Sequence, residues 1–186
     1  AVRRQRQMCI RDSMTSGYDA TKPIRIARHT INDYRPKKRW LSVPEIFMYS
    51  SNIGSAKMAD EFGALAQKEF MKELGFFNQL DVELPERASP IFPARWRRIN
   101  TMTISYGHGI AVSPLHLTSG VATIVNGGIR WPVTILKRHA GQKAVGKQVI
   151  SSKTSLYMRR ILRMVVENGS GKNSSANGYL VGGKTG

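Results

Sequence analysis

The chain has 186 residues, of which 41% are hydrophobic, and a formal net charge of +17 at pH 7. Its length and composition suit one globular domain with a core of its own and exclude an intrinsically disordered protein. No apolar run reaches the length of a membrane span, no secretory signal is visible, and the lone Cys9 excludes an internal disulfide.

Positive charge is concentrated in two regions. Residues 1–39 hold eleven Lys and Arg against three acids, and residues 130–172 hold ten against one. A basic surface suggests an anionic partner, but a solvated basic face explains it equally well. No repeat of aromatic and basic residues marks a nucleic-acid platform, so we expect no nucleic-acid partner. The four histidines show no i,i+4 pair, so we expect neither a metal site nor a cofactor.

The first segment, residues 1–12, is basic and follows neither the helical nor the strand period. It resembles a translated sequencing adapter, and we predict a non-native or disordered segment there; a basic linker is the alternative. The chain lacks an initiator methionine and stops on a motif, which indicates a piece of a longer protein. One domain is therefore predicted over residues 13–186.

From residue 13 onward, short strands give way to helices. Ile24–Arg28 alternates apolar and basic residues, as a half-exposed strand does. Ser42-Val43-Pro44-Glu45 is a capping box with proline in the first turn, and it predicts the start of a helix. Three short polar residues, Ser50-Ser51-Asn52, break this helix before the next one begins.

Four more helices are predicted. The first two are separated at Gly63, and the second of them ends at Gly75. After a loop-rich stretch, Ser113-Pro114 opens a helix that Asn126-Gly127-Gly128 closes. Ser151 or Ser152 caps the last helix. The apolar residues predicted to share one side are Leu117, Val121, Ala122 and Val125 on the first of these two helices; those predicted on the buried side of the last are Met158, Ile161, Leu162, Val165 and Val166.

The closing stretch, residues 178–186, reads as a short apolar strand that ends in Lys184-Thr185-Gly186. A lysine charge, a small hydroxyl and a glycine that permits close backbone approach together form a surface suited to anions. The same stretch also matches the phosphate-loop pattern G-x-x-x-x-G-K-[ST]. Polar loop residues precede it where a phosphate loop needs an apolar strand, so the strand is favoured. A helix starting at Gly183-Lys184 would favour the phosphate loop instead.

Two polar motifs therefore stand out in apolar surroundings. Ser50-Ser51-Asn52 alone is an ordinary helix cap. With Lys184-Thr185-Gly186 it matches two of the three motifs of the penicillin-binding and serine β-lactamase superfamily, S-x-x-K, S-x-N and K-T-G. Ser105–Leu117 resembles the S-x-G-x-G-x-x-x-[ST]-P-L-Q-L stretch of class B penicillin-binding proteins, and Asn126-Gly127-Gly128 stands where those proteins have N-G-G. The chain thus resembles an incomplete transpeptidase domain of the division-type peptidoglycan D,D-transpeptidase.

The resemblance implies the α+β transpeptidase fold of penicillin-binding proteins and serine β-lactamases, an antiparallel sheet with helices on both faces, truncated here at both ends. One departure is important. No lysine has a serine three residues before it, and the only hydroxyl at that spacing, Thr134 before Lys137, follows the S-x-N motif instead of preceding it. The nucleophile is therefore expected upstream of this chain, which we expect to be inactive by itself.

In this family a serine attacks the D-Ala-D-Ala stem peptide, and an amine of a neighbouring peptidoglycan strand takes the acyl group. The resemblance implies catalytic roles for Ser50 as a proton relay, Asn52 as the residue that orients the substrate amide, and Lys184 as a source of positive potential. Substrate binding is implied for Thr185, which would help to read the D-Ala carboxylate, for Gly186, along which the substrate backbone would lie, and for Ser51. β-Lactams would acylate the same nucleophile.

The resemblance also implies partners and a location. Peptidoglycan stem peptides and β-lactams are the expected ligands, division-complex membrane proteins the expected partners, and a periplasmic domain on an inner-membrane anchor the expected setting. Two alternatives stay open. One is a serine β-lactamase or D,D-carboxypeptidase of the same fold, against which the Ser105–Leu117 stretch argues. The other is a basic nucleotide-binding module of the phosphate-loop type.

Overall fold

A computed structural model describes residues 16–137, 141 and 144–185. The prediction for residues 1–12 and the assignment of Gly186 lie outside these ranges. The described strands are β1 Gly17–Asp19, β2 Ile24–Ile26, β3 His29–Ile31, β4 Trp40–Ser42, β5 Ile129–Arg130 and β6 Lys147–Gln148. The helices are α1 Val43–Tyr49, α2 Asn52–Glu73, α3 Arg98–Ile104, α4 Pro114–Val125 and α5 Ser152–Asn168, followed by a 3₁₀ turn at Lys172–Ser174.

The strands form three antiparallel pairs within the described ranges: β1 with β4, β2 with β3, and β5 with β6. The α+β class with antiparallel pairing is thus confirmed. The closing segment, residues 179–185, differs from its prediction because it joins no described strand. Its backbone bonds to α5 instead: the Gly183 N–H donates to the Leu162 carbonyl at 3.1 Å, and the Arg163 guanidinium donates to the Val181 carbonyl at 2.9 Å.

The predicted helix starts are confirmed. Ser113 and Ser151 cap α4 and α5, because each side-chain oxygen accepts a hydrogen bond from a backbone N–H of the first turn. At α1 the Glu45 carboxylate accepts from the Ser42 N–H at 2.9 Å, as the predicted capping box requires. The break predicted at Gly63 is a kink inside α2, where that glycine has φ 79° and ψ 163°.

Two small apolar clusters surround the break between α1 and α2. In the first, Leu41 of β4 and Ile46 of α1 pack with Ile53 of α2. In the second, Ile31 of β3 packs with Ala56 of α2 and Met102 of α3. Burial of such side chains contributes about 1.5–3 kcal/mol each. The Ser50-Ser51-Asn52 turn therefore lies between elements that the core holds in place.

The buried side of α4 is not the one predicted. Leu117 and Val121 are 54% and 46% exposed, whereas His116, Gly120 and Thr123 are buried. His116 is fully hydrogen-bonded: one ring nitrogen meets Ser113 Oγ at 2.7 Å, and the other meets the Asn78 carbonyl at 2.9 Å. A polar ring satisfied in this way can be buried at little cost, and this outweighs the apolar pattern.

The end of α5 docks on α1 through a glycine. The predicted burial of Ile161, Val165 and Val166 is confirmed. Gly169 follows the helix, and a Cβ built there would lie 2.4 Å from the Met48 carbonyl oxygen, so only glycine fits. The next residue, Ser170, donates its N–H to the same carbonyl at 3.0 Å. This contact places the segment after α5 beside the end of α1.

Candidate active site

Ser50 ends α1 with φ 56° and ψ 48°, the left-handed conformation. A residue with a Cβ pays about 1–2 kcal/mol for that conformation. Its N–H donates to the Phe47 carbonyl at 3.2 Å, and the Ser51 N–H donates to the Ile46 carbonyl at 3.0 Å. The chain therefore reverses from α1 into α2 within two residues, and the Ser50 side chain stands at the corner.

The structure brings Ser50 and Lys184 together. Lys184 Nζ donates to Ser50 Oγ at 2.6 Å, although the two residues are 134 positions apart in the chain. The same ammonium donates to the Thr185 carbonyl at 2.6 Å, which fixes the lysine side chain across its own backbone. Among the described residues, no carboxylate forms an ion pair with Lys184. Its positive charge is thus available to a ligand.

Surrounding protein changes the acidity of this lysine. Partial removal of water from the ammonium lowers the pKa of Lys184 below its ordinary value, because loss of hydration disfavours the charged form. A hydroxyl that accepts from such an ammonium can take part in proton transfer more readily than one beside an ordinary lysine. The Ser50–Lys184 pair therefore places a hydroxyl in hydrogen-bond contact with an ammonium of lowered pKa.

Thr185 lies beside a hydroxyl that the sequence did not single out. Thr185 Oγ1 and Ser170 Oγ are 2.6 Å apart. Two hydroxyls that share one hydrogen bond keep one O–H free to donate to an incoming acceptor. Ser170 belongs to a polar loop without periodicity, so no local signal distinguished it. Its position depends on the docking of α5 against α1.

Ser51 supports the turn through its side-chain hydroxyl. It is 2% exposed, its hydroxyl donates to Asp33 Oδ2 at 2.8 Å, and its oxygen accepts from the Gly54 N–H at 3.0 Å. The hydroxyl of Ser51 is thus engaged within the turn, and the substrate contact expected for this residue stays a prediction. Asn52 lies on the first turn of α2, where its side-chain amide donates to the Asn32 carbonyl at 3.0 Å. Neither Asp33 nor Asn32 carries a sequence signal of its own.

Thr134 and the described cavity lie outside the site formed by Ser50 and Lys184. The Thr134 hydroxyl donates to Glu83 Oε1 at 2.6 Å and touches none of the site residues. A cavity of about 310 Å³ opens between the end of α2 and the β5–β6 pair, and Arg130, Trp131 and Lys147 are among its lining residues. In the described ranges, no three His, Cys, Asp or Glu side chains are grouped to hold a metal ion. No described helix is long and apolar enough to cross a membrane.

Comparison with known proteins identifies the family of this site. Residues 12–186 match the model of the penicillin binding protein transpeptidase domain. Over 174 residues the chain is 38% identical to the "Probable peptidoglycan D,D-transpeptidase FtsI" of Caulobacter vibrioides, a match that covers 92% of this chain and 30% of that protein. The chain belongs to the penicillin-binding transpeptidase family.

Further members of the penicillin-binding transpeptidase family agree. The chain is 29% identical over 169 residues to the "Probable peptidoglycan D,D-transpeptidase PenA" of Neisseria meningitidis, covering 89% of this chain and 29% of that protein. The apo transpeptidase domain of Burkholderia pseudomallei penicillin-binding protein 3 superposes with a TM-score of 0.87 at 28% identity, over 96% of this chain and 54% of that one. The chain thus spans 30% or less of these two curated relatives.

The backbone of the closing stretch, together with the family membership, argues against its interpretation as a phosphate loop. In a phosphate loop, several successive N–H groups point inward at the start of a helix. Here Gly183 donates its N–H to α5, and no helix begins at Lys184 in the described part of the chain. The nucleotide-binding alternative is therefore set aside.

Proposed function

We propose that this chain is part of a peptidoglycan D,D-transpeptidase, which cross-links stem peptides ending in D-Ala-D-Ala through a serine acyl-enzyme during septal cell-wall synthesis. The observation that carries the proposal is the 2.6 Å hydrogen bond from Lys184 Nζ to Ser50 Oγ. It joins the S-x-N and K-T-G motifs in a chain that belongs to the penicillin-binding transpeptidase family. Relatives named as D,D-transpeptidases support the reaction class.

Ser50 relays a proton in this proposal. A serine nucleophile is weak at its ordinary pKa and needs a neighbouring base, which an S-x-x-K lysine of the longer protein supplies. The Ser50 hydroxyl accepts from Lys184 and still has its own hydrogen to donate. It can therefore pass a proton to the leaving D-Ala amine when the acyl-enzyme forms. The lowered pKa of Lys184 assists that transfer.

Lys184 and Thr185 bind the substrate carboxylate. The ammonium has no carboxylate ion-pair partner among the described residues. Thr185 and Ser170 share one hydrogen bond, and one of the two O–H groups remains free to donate. A charge beside a hydroxyl donor matches the terminal carboxylate of D-Ala-D-Ala. The substrate backbone is proposed to lie along Gly186, a residue type without a Cβ.

Asn52 orients the scissile amide. Its amide nitrogen donates one hydrogen to the Asn32 carbonyl. Among the described residues the side-chain oxygen and the second hydrogen have no other hydrogen-bond partner, so one side chain can both accept from and donate to a peptide group of the substrate. The contact with Asn32 fixes the orientation of the amide plane before the substrate arrives, which is the kind of preorganisation that favours a reaction.

The remaining assignments follow from the same proposal. Residues 13–186 form part of the transpeptidase domain, and residues 1–12 lie outside it. The complete protein is anchored in the bacterial inner membrane with its catalytic domain in the periplasm, and it works with membrane proteins of the division complex. The acyl group of the acyl-enzyme passes to an amine of a neighbouring peptidoglycan strand. Transfer to water instead would make the protein a carboxypeptidase or a β-lactamase.

Covalent labelling by a fluorescent penicillin tests the function. The longer protein, which carries this chain together with an S-x-x-K segment, should gain one adduct that mass spectrometry detects as a stoichiometric mass increase. The 186-residue chain alone should gain none, because no serine stands three residues before any of its lysines. A stoichiometric adduct on the chain alone would show that the chemistry is misassigned.

Lys184→Ala in the longer protein tests the site. The acylation rate should fall by about 10²–10³, the usual cost of losing one preorganised electrostatic group. Folding should change little because the lysine is exposed. Lys153→Ala is the matched control, since Lys153 is an exposed lysine on α5 that has no contact with Ser50. Undiminished acylation of Lys184→Ala would refute the assigned role.

A further inference from the structure

We infer that Asp33 is a positioning residue for the active site, since its carboxylate holds the Ser50-Ser51-Asn52 turn in the shape that keeps the Ser50 hydroxyl on Lys184. The inference rests on the proposed function, because it takes the Ser50–Lys184 pair as catalytic. Asp33 is separated from the turn by 18 residues and belongs to the segment that leaves β3. None of the motifs discussed above includes it.

Both carboxylate oxygens of Asp33 are used on this turn. Oδ2 accepts from Ser51 Oγ at 2.8 Å, and Oδ1 accepts from the Ile53 N–H at 2.9 Å. Ser51 Oγ in turn accepts from the Gly54 N–H at 3.0 Å. Two N–H groups of the first turn of α2, which have no partner inside the helix, are thus satisfied through one carboxylate. Its negative charge also suits the helix N-terminus.

The support has a rigid base. Asn32, next to Asp33, accepts from the Asn52 side chain at 3.0 Å, so two adjacent residues contact three successive residues of the turn and of α2. Immediately before them, Ile31 is 4% exposed and packs with Ala56 and Met102. Asp33 therefore transmits the position of a buried cluster to the turn, and the turn does not depend on its own conformational preference.

Ser50 needs such support because its left-handed backbone, φ 56°, is unfavourable for serine. Its N–H bond to Phe47 holds the side toward α1. Asp33 holds the opposite side through Ser51 and Ile53. Without the carboxylate, the turn is free to relax to a right-handed or extended conformation, which moves Ser50 Oγ away from Lys184. A misplacement of about 1 Å is enough to cost about 10²-fold in rate.

The experiment compares three variants of the longer protein that carries this chain and an S-x-x-K segment. Asp33→Ala removes both acceptors. Asp33→Asn keeps one acceptor oxygen in a side chain of the same shape. Asp19→Ala is the matched control, because Asp19, at the end of β1, also accepts from one backbone N–H and one hydroxyl, both of Thr21. Its other described charged partner is Lys57 of α2 at 3.9 Å, and no described contact joins it to Ser50, Ser51 or Lys184. Fluorescent penicillin gives the dissociation constant of the initial complex and the acylation rate constant, and a melting curve gives the stability.

Asp33→Ala should lower the acylation rate constant by about 10²-fold with little change in the dissociation constant, since positioning acts on the reaction step. Asp33→Asn should recover about a tenth or more of the wild-type rate constant, because one of the two contacts survives. Asp19→Ala should acylate like the wild type at a similarly lowered melting temperature. If Asp33→Ala does not fold, the acylation rate constant of Asp33→Asn decides, and it must lie below that of Asp19→Ala.

The outcomes separate the two proposals. If the wild-type longer protein is not labelled at all, the proposed function fails. If it is labelled, but the Asp33 variants acylate at the wild-type rate and differ from Asp19→Ala only in stability or not at all, Asp33 is a structural cap and the positioning inference is overturned. The same conclusion follows if the acylation rate falls equally in Asp19→Ala.

Discussion

Ser50 occupies a left-handed backbone position where glycine is the usual residue at the end of a helix. The Cβ of Ser50 therefore has a cost in stability, whereas its hydroxyl gains a hydrogen bond from Lys184. Stability and reactivity should consequently respond in opposite directions when Ser50 is replaced by glycine.

Ser50→Gly should raise the free energy of unfolding by about 0.5–1 kcal/mol, because glycine adopts the left-handed conformation without strain. The same variant should acylate penicillin more slowly by about 10²-fold or more, since the relay hydroxyl is gone. Denaturant unfolding and stopped-flow labelling of the longer protein measure the two effects. Ala27→Gly is the control, because Ala27 also has a left-handed backbone, φ 50°, in the turn between β2 and β3. It should gain similar stability and keep its acylation rate; equal losses of rate would disprove the relay.

At this scale, the sequence predicted residues that belong to a motif and missed those that only support one. Ser50, Asn52 and Lys184 could be proposed because their order along the chain matches a known set, and the structure brings Ser50 and Lys184 into contact. Asp33 and Ser170 were missed, because each reaches the site through tertiary packing and stands in a loop where polar residues are common. The hydrogen bond from Ser51 to Asp33 has the same origin, since it depends on the position of a residue 18 places earlier in the chain.

Among the elements, the N-terminus of α1 is held by hydrogen bonds between residues that are close in sequence, and one of these bonds is an ion pair. Arg39 donates to Glu45 Oε1 at 2.6 Å, and the Ser42 N–H donates to Oε2 at 2.9 Å. These contacts lower the pKa of Glu45 to about 2, and the hydrogen bond from Arg39 contributes most, followed by the one from the Ser42 N–H. A carboxyl with a depressed pKa stabilises the folded state above its unfolded pKa, 4.5, and this contribution disappears as the pH falls through the folded pKa.

Glu45→Gln should therefore destabilise the protein by about 1–2 kcal/mol at pH 7, since a helix cap and a half-exposed ion pair are lost together. The difference from the wild type should shrink between pH 4.5 and about pH 2 and be absent below that range. Thermal melts in a series of buffers measure it. Glu86→Gln, at an exposed carboxylate, should show no such pH-dependent difference. A Glu45→Gln effect of constant size down to pH 2 would contradict the assigned ion pair.

Helix ends were predictable, whereas helix faces and strand partners were less so. Caps depend on four or five consecutive residues, so Ser42, Ser113 and Ser151 mark true starts. The buried face of α4 depends on which side the rest of the chain covers, and there a hydrogen-bonded His116 replaced the expected Leu117. The segment at residues 179–185 has the composition of a strand, but its backbone groups find their partners on α5.

For the whole molecule, the dominant electrostatic feature is the net charge of +17, to which residues 130–172 contribute ten basic side chains and one acid. All of α5 lies in this region, and Arg159 and Arg160 on it are exposed. Like charges at such density repel one another and destabilise a compact state. The range of that repulsion is about 30 Å at 0.01 M ionic strength and about 3 Å at 1 M.

Replacing Arg159 and Arg160 by glutamine removes two of the seventeen net positive charges. At about 0.01 M salt the double variant should be more stable than the wild type by about 0.5 kcal/mol, because long-range repulsion is weakened, and the gain should vanish at about 1 M salt. Melting temperatures over a salt series measure the effect. Arg159→Lys with Arg160→Lys preserves both charges at the same helix positions and should follow the wild type at every salt concentration. A stability gain that persists at about 1 M salt would contradict an effect of the overall charge, because screening removes that contribution. Glutamine and arginine have similar helix propensities, so such a gain would be assigned to local helix contacts.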